Sequence, residues 1–290
     1  MSVNRAKELG LPLMNLVRFR GIPILQQLHL EEKLLRTFSG NWCIINDGTN
    51  APAIVMGMSG KPYELLELGS VIRDQIPVIK RFTGGGTVIV DKDTVFVSLI
   101  CNKDDVPGVQ PYPRSLLYLP TVLHKVARTI CELVRRFLVS GFFLVPPWKI
   151  FISSFVVFAS PDYVFGDHKF GGNAQSITRN RWIHHTSFLW DYSVENMAYL
   201  KLPSKAPQYR LERDHTDFVC RMKDYMQRSV FIEKTMKAVE THFTLKQVNL
   251  EEMGSHAKGE YLETTRLLTM EELEQAREGA SQIESIAHAS

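Results

Sequence analysis

Three short segments of this chain carry residue types suited to handling an anion. Residues 80–91 read K-R-F-T-G-G-G-T-V-I-V-D, residues 167–175 read D-H-K-F-G-G-N-A-Q, and residues 182–190 read W-I-H-H-T-S-F-L-W. The first sets three consecutive glycines beside Lys80 and Arg81. Glycine lets main-chain N–H groups approach a bound molecule closely, and an adjacent cation neutralises a phosphate or carboxylate. No G-K-[ST] follows the glycines and their spacing is not G-x-G-x-x-G, which excludes the P-loop and the dinucleotide fingerprint. A bulge at the start of a strand would use the same glycines. The ligand reading gains from repetition, because Lys169 stands just before Gly171 and Gly172 and again joins one cation to unshielded backbone. Asn173 and Gln175 alternate, so in a strand they share a face. His184 and His185 are adjacent and point to opposite faces, so a regular strand cannot offer both to one metal; one packed and one exposed imidazole are expected.

These segments need a scaffold, and hydrophobic spacing outlines one. Apolar residues at Leu25, Leu28, Leu34, Leu35 and Phe38 predict an amphipathic helix entered at Pro23. N-W-C-I-I-N-D and A-I-V-M-G-M, split by D-G-T-N-A-P, predict neighbouring strands. Residues 87–90 and 94–100, joined by D-K-D, predict a hairpin that begins directly after the glycines. A second hairpin is predicted over residues 175–189, with T-R-N-R as its turn. Beyond the linker-like L-P-S-K-A-P-Q-Y, R-L-E-R-D-H-T-D-F-V-C-R-M resumes helical spacing. After about residue 250 the chain turns acidic and polar, and the capping-box spacing of Thr269 and Glu272 predicts a peripheral helix. Strands and helices mix without a βαβ rhythm, so the predicted class is α+β.

Bulk properties narrow the functional classes. The 290 residues are 44% hydrophobic and 22% charged, which suits a globular protein with a substantial core. A net charge of +3 demands neither a nucleic acid nor an anionic membrane as partner. Cys43, Cys101, Cys131 and Cys220 form no C-x-x-C pair, which argues against a zinc knuckle or a disulfide framework and for a reducing compartment. The N-terminus lacks the apolar core of a secretory signal; Arg5, Lys7, Arg18 and Arg20 give a faint presequence character that Glu8 weakens, so a mitochondrial or cytoplasmic location is expected.

The ordered combination R-F-T-G-G-G-T-V, K-F-G-G-N-A-Q and H-H-T-S-F-L resembles the lipoate-protein ligase and lipoyl/octanoyl transferase family. L-H-L-E-E-K-L-L and A-I-V-M-G-M are similar to that family's opening. The resemblance implies the biotin/lipoate ligase fold, related to class II aminoacyl-tRNA synthetases, with a mixed or antiparallel sheet and flanking helices. It implies a catalytic domain over residues 23–250, an N-terminal extension over 1–22 and a polar tail over 251–290. The implied chemistry has two half-reactions: lipoate or octanoate attacks ATP to give an acyl-adenylate, and a carrier lysine takes the acyl group. Lys169 would supply the cation at the carboxyl–phosphate centre. Arg81, Thr83, Gly84, Gly85, Gly86, Gly171, Gly172, Asn173, Ala174 and His184 would bind substrate or ATP, and Asp162 would join them and take Mg2+. The implied partners are lipoyl domains of 2-oxoacid dehydrogenase complexes or the glycine cleavage carrier protein.

Two alternatives stay open, a transferase using a carrier-bound acyl donor and a non-catalytic acyl-binding relative. Transferases of the family use a cysteine nucleophile near the lysine motif. No cysteine stands between Cys131 and Lys169, or between Lys169 and Cys220, which favours the ligase. The G-R-G-R-x-G-R-type loop of biotin ligases is absent. Val90 replaces the family's histidine before Asp91, and Pro161 replaces the asparagine before Asp162.

Residues 116–160 do not match their surroundings. Residues 138–161 hold one charge, Lys149, in 24 positions, yet Pro146, Pro147 and Lys149 interrupt the run of about 20 apolar residues that a membrane helix needs. A membrane span is therefore not expected. The segment reads as substituted sequence between intact motifs, with loss of a strand beside Lys169 and exposed apolar surface as the expected cost.

Overall fold

The β-rich runs build two sheets, and among the described residues the chain passes between them three times, at β2–β3, β5–β6 and β10–β11. The computed structural model describes residues 10–106, 162–165, 167–203, 210–249 and 260–289; the atypical segment 116–160, with Cys131, lies outside the described residues. In chain order the strands are β1 (Leu13–Phe19), β2 (Asn41–Asp47), β3 (Ala53–Met56), β4 (Val78–Lys80), β5 (Thr87–Val90), β6 (Thr94–Asn102), β7 (Asp162–Phe165), β8 (His168–Ile177), β9 (Arg181–Leu189), β10 (Thr244–Gln247) and β11 (Arg266–Leu267). One sheet has the order β10-β1-β2-β6-β9-β8-β7 and the other β11-β4-β3-β5. β1 runs parallel to β10 and β2, and β3 runs parallel to β4. The remaining pairs are antiparallel, so both sheets are mixed and the class is α+β.

Two predicted neighbour pairs are corrected. β2 and β3 lie in different sheets, and so do β5 and β6. The turn residues do turn the chain, but at corners that carry it from one sheet to the other. The two corners hold each other: the Thr49 N–H donates to the Asp91 carbonyl at 3.1 Å, and Gly48 at φ +90° lies where a Cβ would sit 2.3 Å from the Lys92 oxygen. The β8–β9 hairpin forms as expected, closed by the Thr178 N–H on the Arg181 carbonyl at 2.8 Å. Residues 13–19, inside the predicted N-terminal extension, form a strand between β2 and β10.

Helix α1 (Ile24–Thr37) is the predicted amphipathic helix, and it is wedged between the sheets. Its Leu34 and Leu35 pack on Ile44, Ile100 and Ile183 of the large sheet, while Ile24 and Leu28 meet Val55 and Ile79 of the small one. Each such buried side chain contributes about 1.5–3 kcal/mol. The large sheet's other face carries Phe170, Trp182 and Phe188 against Phe231 of a later helix, Arg228–Glu240. The helical spacing predicted over residues 210–222 is realised only as one turn at His215–Phe218 and a 3-10 turn at Met222–Asp224. Between them Val219 is extended and bridges to Lys169, so a tertiary pairing overrides the local period.

Residues 260–289 are joined to the body. Fully buried Glu32 of α1 accepts from the N–H groups of Thr264 (3.1 Å) and Thr265 (2.9 Å), the Thr264 hydroxyl (2.7 Å) and Arg36 (2.9 Å). The Thr265 hydroxyl accepts from the Phe82 N–H at 3.3 Å, and β11 pairs with β4 immediately before the glycines. The capping box forms, with the Thr269 N–H on Glu272 at 2.9 Å and the Glu272 N–H on the Thr269 hydroxyl at 3.2 Å. The helix it starts, Met270–Ala289, buries Leu273 in a cluster with Val71 and Leu268.

Burial opposes ionisation of Glu32, but hydrogen bonds from Thr264, Thr265 and Arg36 outweigh it and hold the carboxyl below its ordinary 4.5. A carboxyl lowered in the folded state stabilises above its unfolded value and loses that contribution as pH falls through the folded one. Glu32→Gln is expected to lower unfolding free energy at pH 7 by about 2–3 kcal/mol, the scale of charge-assisted hydrogen bonds. The gap from wild type should shrink steadily once the pH drops below 4.5, as urea unfolding across that range would record.

Candidate functional site

β4 and β5 both pair with β3, on its two sides, so residues 81–86 must carry the chain around the end of β3. That path demands glycine at two places. Gly85 takes φ +100°, and a Cβ there would lie 2.9 Å from Arg81 Nη2 and 3.4 Å from the Ala174 Cβ. At Gly57, just past β3, a Cβ would sit 2.2 Å from the Gly85 oxygen. The loop is thus seated between Gly57 and Ala174, which brings the first predicted segment onto the strand of the second. Around Gly84 and Gly86 there is open space on the side a Cβ would occupy.

Arg81 is 6% exposed and turned inward, where the sequence suggests a cation offered directly to the ligand. Its Nη2 donates to the carbonyls of Gly84 (2.8 Å) and Gly86 (2.9 Å), its Nε to the Thr83 hydroxyl (2.9 Å), and its Nη1 to the Val55 carbonyl (3.4 Å). Burial pulls the guanidinium down to about 10, which still leaves it cationic at neutral pH. With the glycine carbonyls drawn to Arg81, the N–H groups of Gly84, Gly85 and Gly86 donate to no acceptor among the described residues. Main-chain N–H groups left over in this way, with a cation behind them, make an anion receptor. Such a receptor fits the phosphates of ATP.

β8 supplies the second wall. Half-buried Lys169 pairs with Val164 of β7, so a strand does stand beside it where its loss is expected from the sequence, and the bulge that follows leaves Phe170 as an extra residue sunk in the apolar core. A Cβ on Gly171 would lie 3.0 Å from Phe188 Cδ1 and 3.4 Å from Tyr163 Cδ2, so this glycine admits aromatic packing. Gly172 pairs with Asp162 on one side and Ser187 on the other, and Asn173 pairs with Thr186. Lys169 stands five positions before Ala174, roughly 16 Å along a strand rising ~3.3 Å per residue. This backbone separation suits an elongated ligand that meets the glycine loop at one end and the Lys169 side chain at the other. Among the described residues no three His, Cys, Asp or Glu side chains converge as a metal site.

Both histidines of H-H-T-S are packed, which corrects the expectation of one exposed imidazole. His184 is 2% exposed, beside Gln175 (3.1 Å) and the Tyr163 hydroxyl (3.3 Å); burial, with His185 as a second cause, lowers it to about 3. His185 faces the other way, between the Thr83 hydroxyl (2.9 Å) and Glu31 (2.9 Å). Both faces of β9 are covered, so alternation selects a partner without selecting exposure.

Sequence reasoning missed His185, Glu31, Gly57 and Cys220. Glu31 had a visible signal, since positions 28, 31 and 35 share a helix face and the carboxylate falls on the apolar stripe. Cys220 had none. Its N–H donates to the Lys169 carbonyl at 2.9 Å, and its Sγ lies 3.6 Å from the His168 carbonyl. A cysteine is thus paired with the lysine segment through the backbone, which distance along the chain does not show. Cys43 and Cys101 are deeply buried, with the Cys43 thiol pushed up to about 12 and Cys101 also raised, so neither serves as a nucleophile.

A family model described as the lipoyl protein ligase A/B catalytic domain matches residues 23–244. The protein named inactive lipoate–protein ligase 2 of Plasmodium falciparum is 30% identical over 228 residues, which cover 72% of this chain and 58% of that protein. Octanoyltransferase LipM of Geobacillus kaustophilus is 24% identical over 201 residues, 66% of this chain and 69% of that one. Among solved structures, the bi-partite lipoate protein ligase of Thermoplasma acidophilum, described with its E2 lipoyl domain, superposes with a TM-score of 0.58 at 13% identity, covering 93% of this chain and 92% of that one. Lipoate-protein ligase A bound with ATP gives 0.54 at 16%, covering 93% and 94%. Among the described residues no helix is long and apolar enough to cross a membrane.

His184 sets a pH dependence of its own. Its folded value lies below the unfolded 6.5, so the stability it contributes is complete above 6.5 and falls as pH drops toward 3. The expected slope reaches about 1.4 kcal/mol per pH unit within that window. His184→Gln should flatten it, and chemical denaturation at pH 7 and pH 5 would measure the difference.

Proposed function

The chain belongs to the lipoyl protein ligase A/B family, and on that premise we propose that it attaches lipoate or octanoate to a lysine of a lipoyl carrier domain through an acyl-adenylate made from ATP. The observation that carries this reading is the glycine loop, whose carbonyls are occupied by Arg81 and whose N–H groups remain for phosphate, seated on the strand that bears Lys169. In the first half-reaction a carboxylate oxygen of the acid attacks the α-phosphorus, a P–O bond forms, and pyrophosphate leaves. Two anions must meet, so the barrier is largely electrostatic. The glycine N–H groups receive charge on the phosphates, and Lys169 places a cation between carboxylate and phosphate. Mg2+, with Asp162 as its candidate ligand, would neutralise further phosphate charge. In the second half-reaction the carrier lysine, after losing a proton, attacks the acyl carbon and AMP leaves. Lipoyl domains of 2-oxoacid dehydrogenase complexes, or the glycine cleavage carrier protein, are the proposed acceptors.

One observation favours a second reading. The Cys220 N–H donates to the Lys169 carbonyl, so the fold brings a thiol-bearing residue onto the lysine segment. As a thiolate it would attack a carrier-bound acyl thioester, form a thioester at Sγ and release the carrier thiol, after which the acceptor lysine takes the acyl group.

Incubation of the full chain with lipoate or octanoate, Mg-ATP and an apo lipoyl domain separates the readings. Pyrophosphate release with a mass-shifted domain is the ligase outcome, and Lys169→Ala should then slow adenylate formation by about 10²–10³-fold. Undiminished activity in that variant would remove the role assigned to Lys169. Modification that needs an acyl-carrier donor and vanishes in Cys220→Ser is the transferase outcome. Binding of the acid without turnover is the outcome for a non-catalytic relative.

A further inference from the structure

Arg81 is a nearly buried cation with no carboxylate in contact among the described residues. Its counter-charge, Glu31, is 0% exposed on α1 and reached through two side chains. Arg81 Nε donates to the Thr83 hydroxyl at 2.9 Å, the hydroxyl oxygen lies 2.9 Å from His185 Nε2, and His185 Nδ1 lies 2.9 Å from Glu31 Oε2. The direction of this chain follows from the groups themselves. A guanidinium only donates and a carboxylate only accepts, so Thr83 receives at one end and the Nδ1 hydrogen is given at the other. In the neutral imidazole Nε2 accepts, and the Thr83 hydroxyl gives it its one proton. Every donor from Arg81 to Glu31 then meets an acceptor.

Glu31 is held as firmly as it holds. Its other oxygen accepts from Gln27 at 2.7 Å and Ser98 at 2.6 Å, and Gln27 in turn accepts from Asn46 at 2.9 Å. The network ties α1, β2, β6 and β9 to a single loop. A fully satisfied buried network fixes one geometry, because each alternative rotamer leaves a polar group unpaired. Here the geometry fixed is that of Arg81, hence of the glycine carbonyls.

We infer that Glu31, His185 and Thr83 are positioning residues that act through Arg81 to keep the N–H groups of Gly84, Gly85 and Gly86 available to a nucleotide's phosphates. This rests on the ligase reading for the identity of the ligand, though not for the brace itself. The relay makes the anion site depend on a carboxylate that never meets the anion.

Thr83→Val preserves shape and removes the hydroxyl, Thr83→Ser restores it, and Glu31→Gln removes the charge two side chains away from the loop. Two readouts apply to the full-length chain: ATP affinity by calorimetry, and hydrogen exchange at Met58, whose N–H donates to the Thr83 carbonyl at 3.0 Å. Thr83→Val and Glu31→Gln should each weaken ATP binding at least tenfold and accelerate exchange at Met58, and Thr83→Ser should return both toward wild type. Wild-type values in Glu31→Gln, in a sample whose circular dichroism is unchanged, would overturn the relay whatever Thr83→Val does. Should the wild-type chain bind no ATP, the ligase reading fails by that result alone. Met58 exchange then decides the brace, sustained if both variants accelerate it and overturned if either leaves it unchanged.

Discussion

The site depends on a guanidinium that faces away from it. Arg81 takes up the carbonyls of Gly84 and Gly86, and that withdrawal leaves the glycine N–H groups for a ligand. A surface arginine pointing at a phosphate would have to be desolvated at each binding event and would lose side-chain freedom as well. An arginine already buried has met that cost on folding. The receptor is therefore preorganised main chain, with the cation as its framework. The demand passes to whatever balances a buried positive charge, and that role falls to α1.

Two adjacent glutamates on α1 divide this labour. Glu31 and Glu32 are both fully buried, and one residue of helix turns them about 100° apart. Glu31 looks into the large sheet, where His185 carries its influence to Thr83. Glu32 looks toward the C-terminal segment, whose Thr265 in turn holds the Phe82 N–H. Residues 79–83, which lead into the glycines, are thus gripped from two sides by neighbouring residues of one helix. Such burial would be costly for isolated carboxylates; each is offset by three or more hydrogen-bond donors. The segment 260–289 is accordingly part of the framework behind the loop.

Much of this was legible in the sequence, for reasons that also mark where legibility ends. The two glycine segments announce themselves because bare backbone beside a cation has few other uses, and their convergence at Gly85 and Ala174 is what a shared ligand requires. The α1 stripe and the capping box at Thr269 depend on contacts a few residues apart, and both form. Strand partners are different: period-two alternation tells which residues share a face, never which strand lies beside it. Hence β2–β3 and β5–β6 read as neighbours while the chain was changing sheets. The exposed histidine failed for a related reason, since alternation implies exposure only where one face is wet. Lys169 and Cys220 are 51 positions apart in the chain and adjacent in space through a bridge at Val219 that no local pattern encodes.

That adjacency sharpens the choice between mechanisms, because one ammonium cannot serve both at once. In a transferase Lys169 would have to serve the Cys220 sulfur, whereas the contact between the two residues is a backbone one. A thioester route then develops one oxyanion at a time, for which one or two N–H groups suffice. The glycine loop offers more than that: three consecutive N–H groups, a buried cation behind them and a relay of four polar side chains to keep them so. The loop and Lys169 are also set roughly 16 Å apart along the β8 backbone, a span that suits an adenylate better than a lone acyl carbon. A nucleotide joined to an acid has both the charge to use the whole receptor and the length to touch the lysine. On this geometry the Cys220 N–H is best understood as the clasp that holds Lys169 in line.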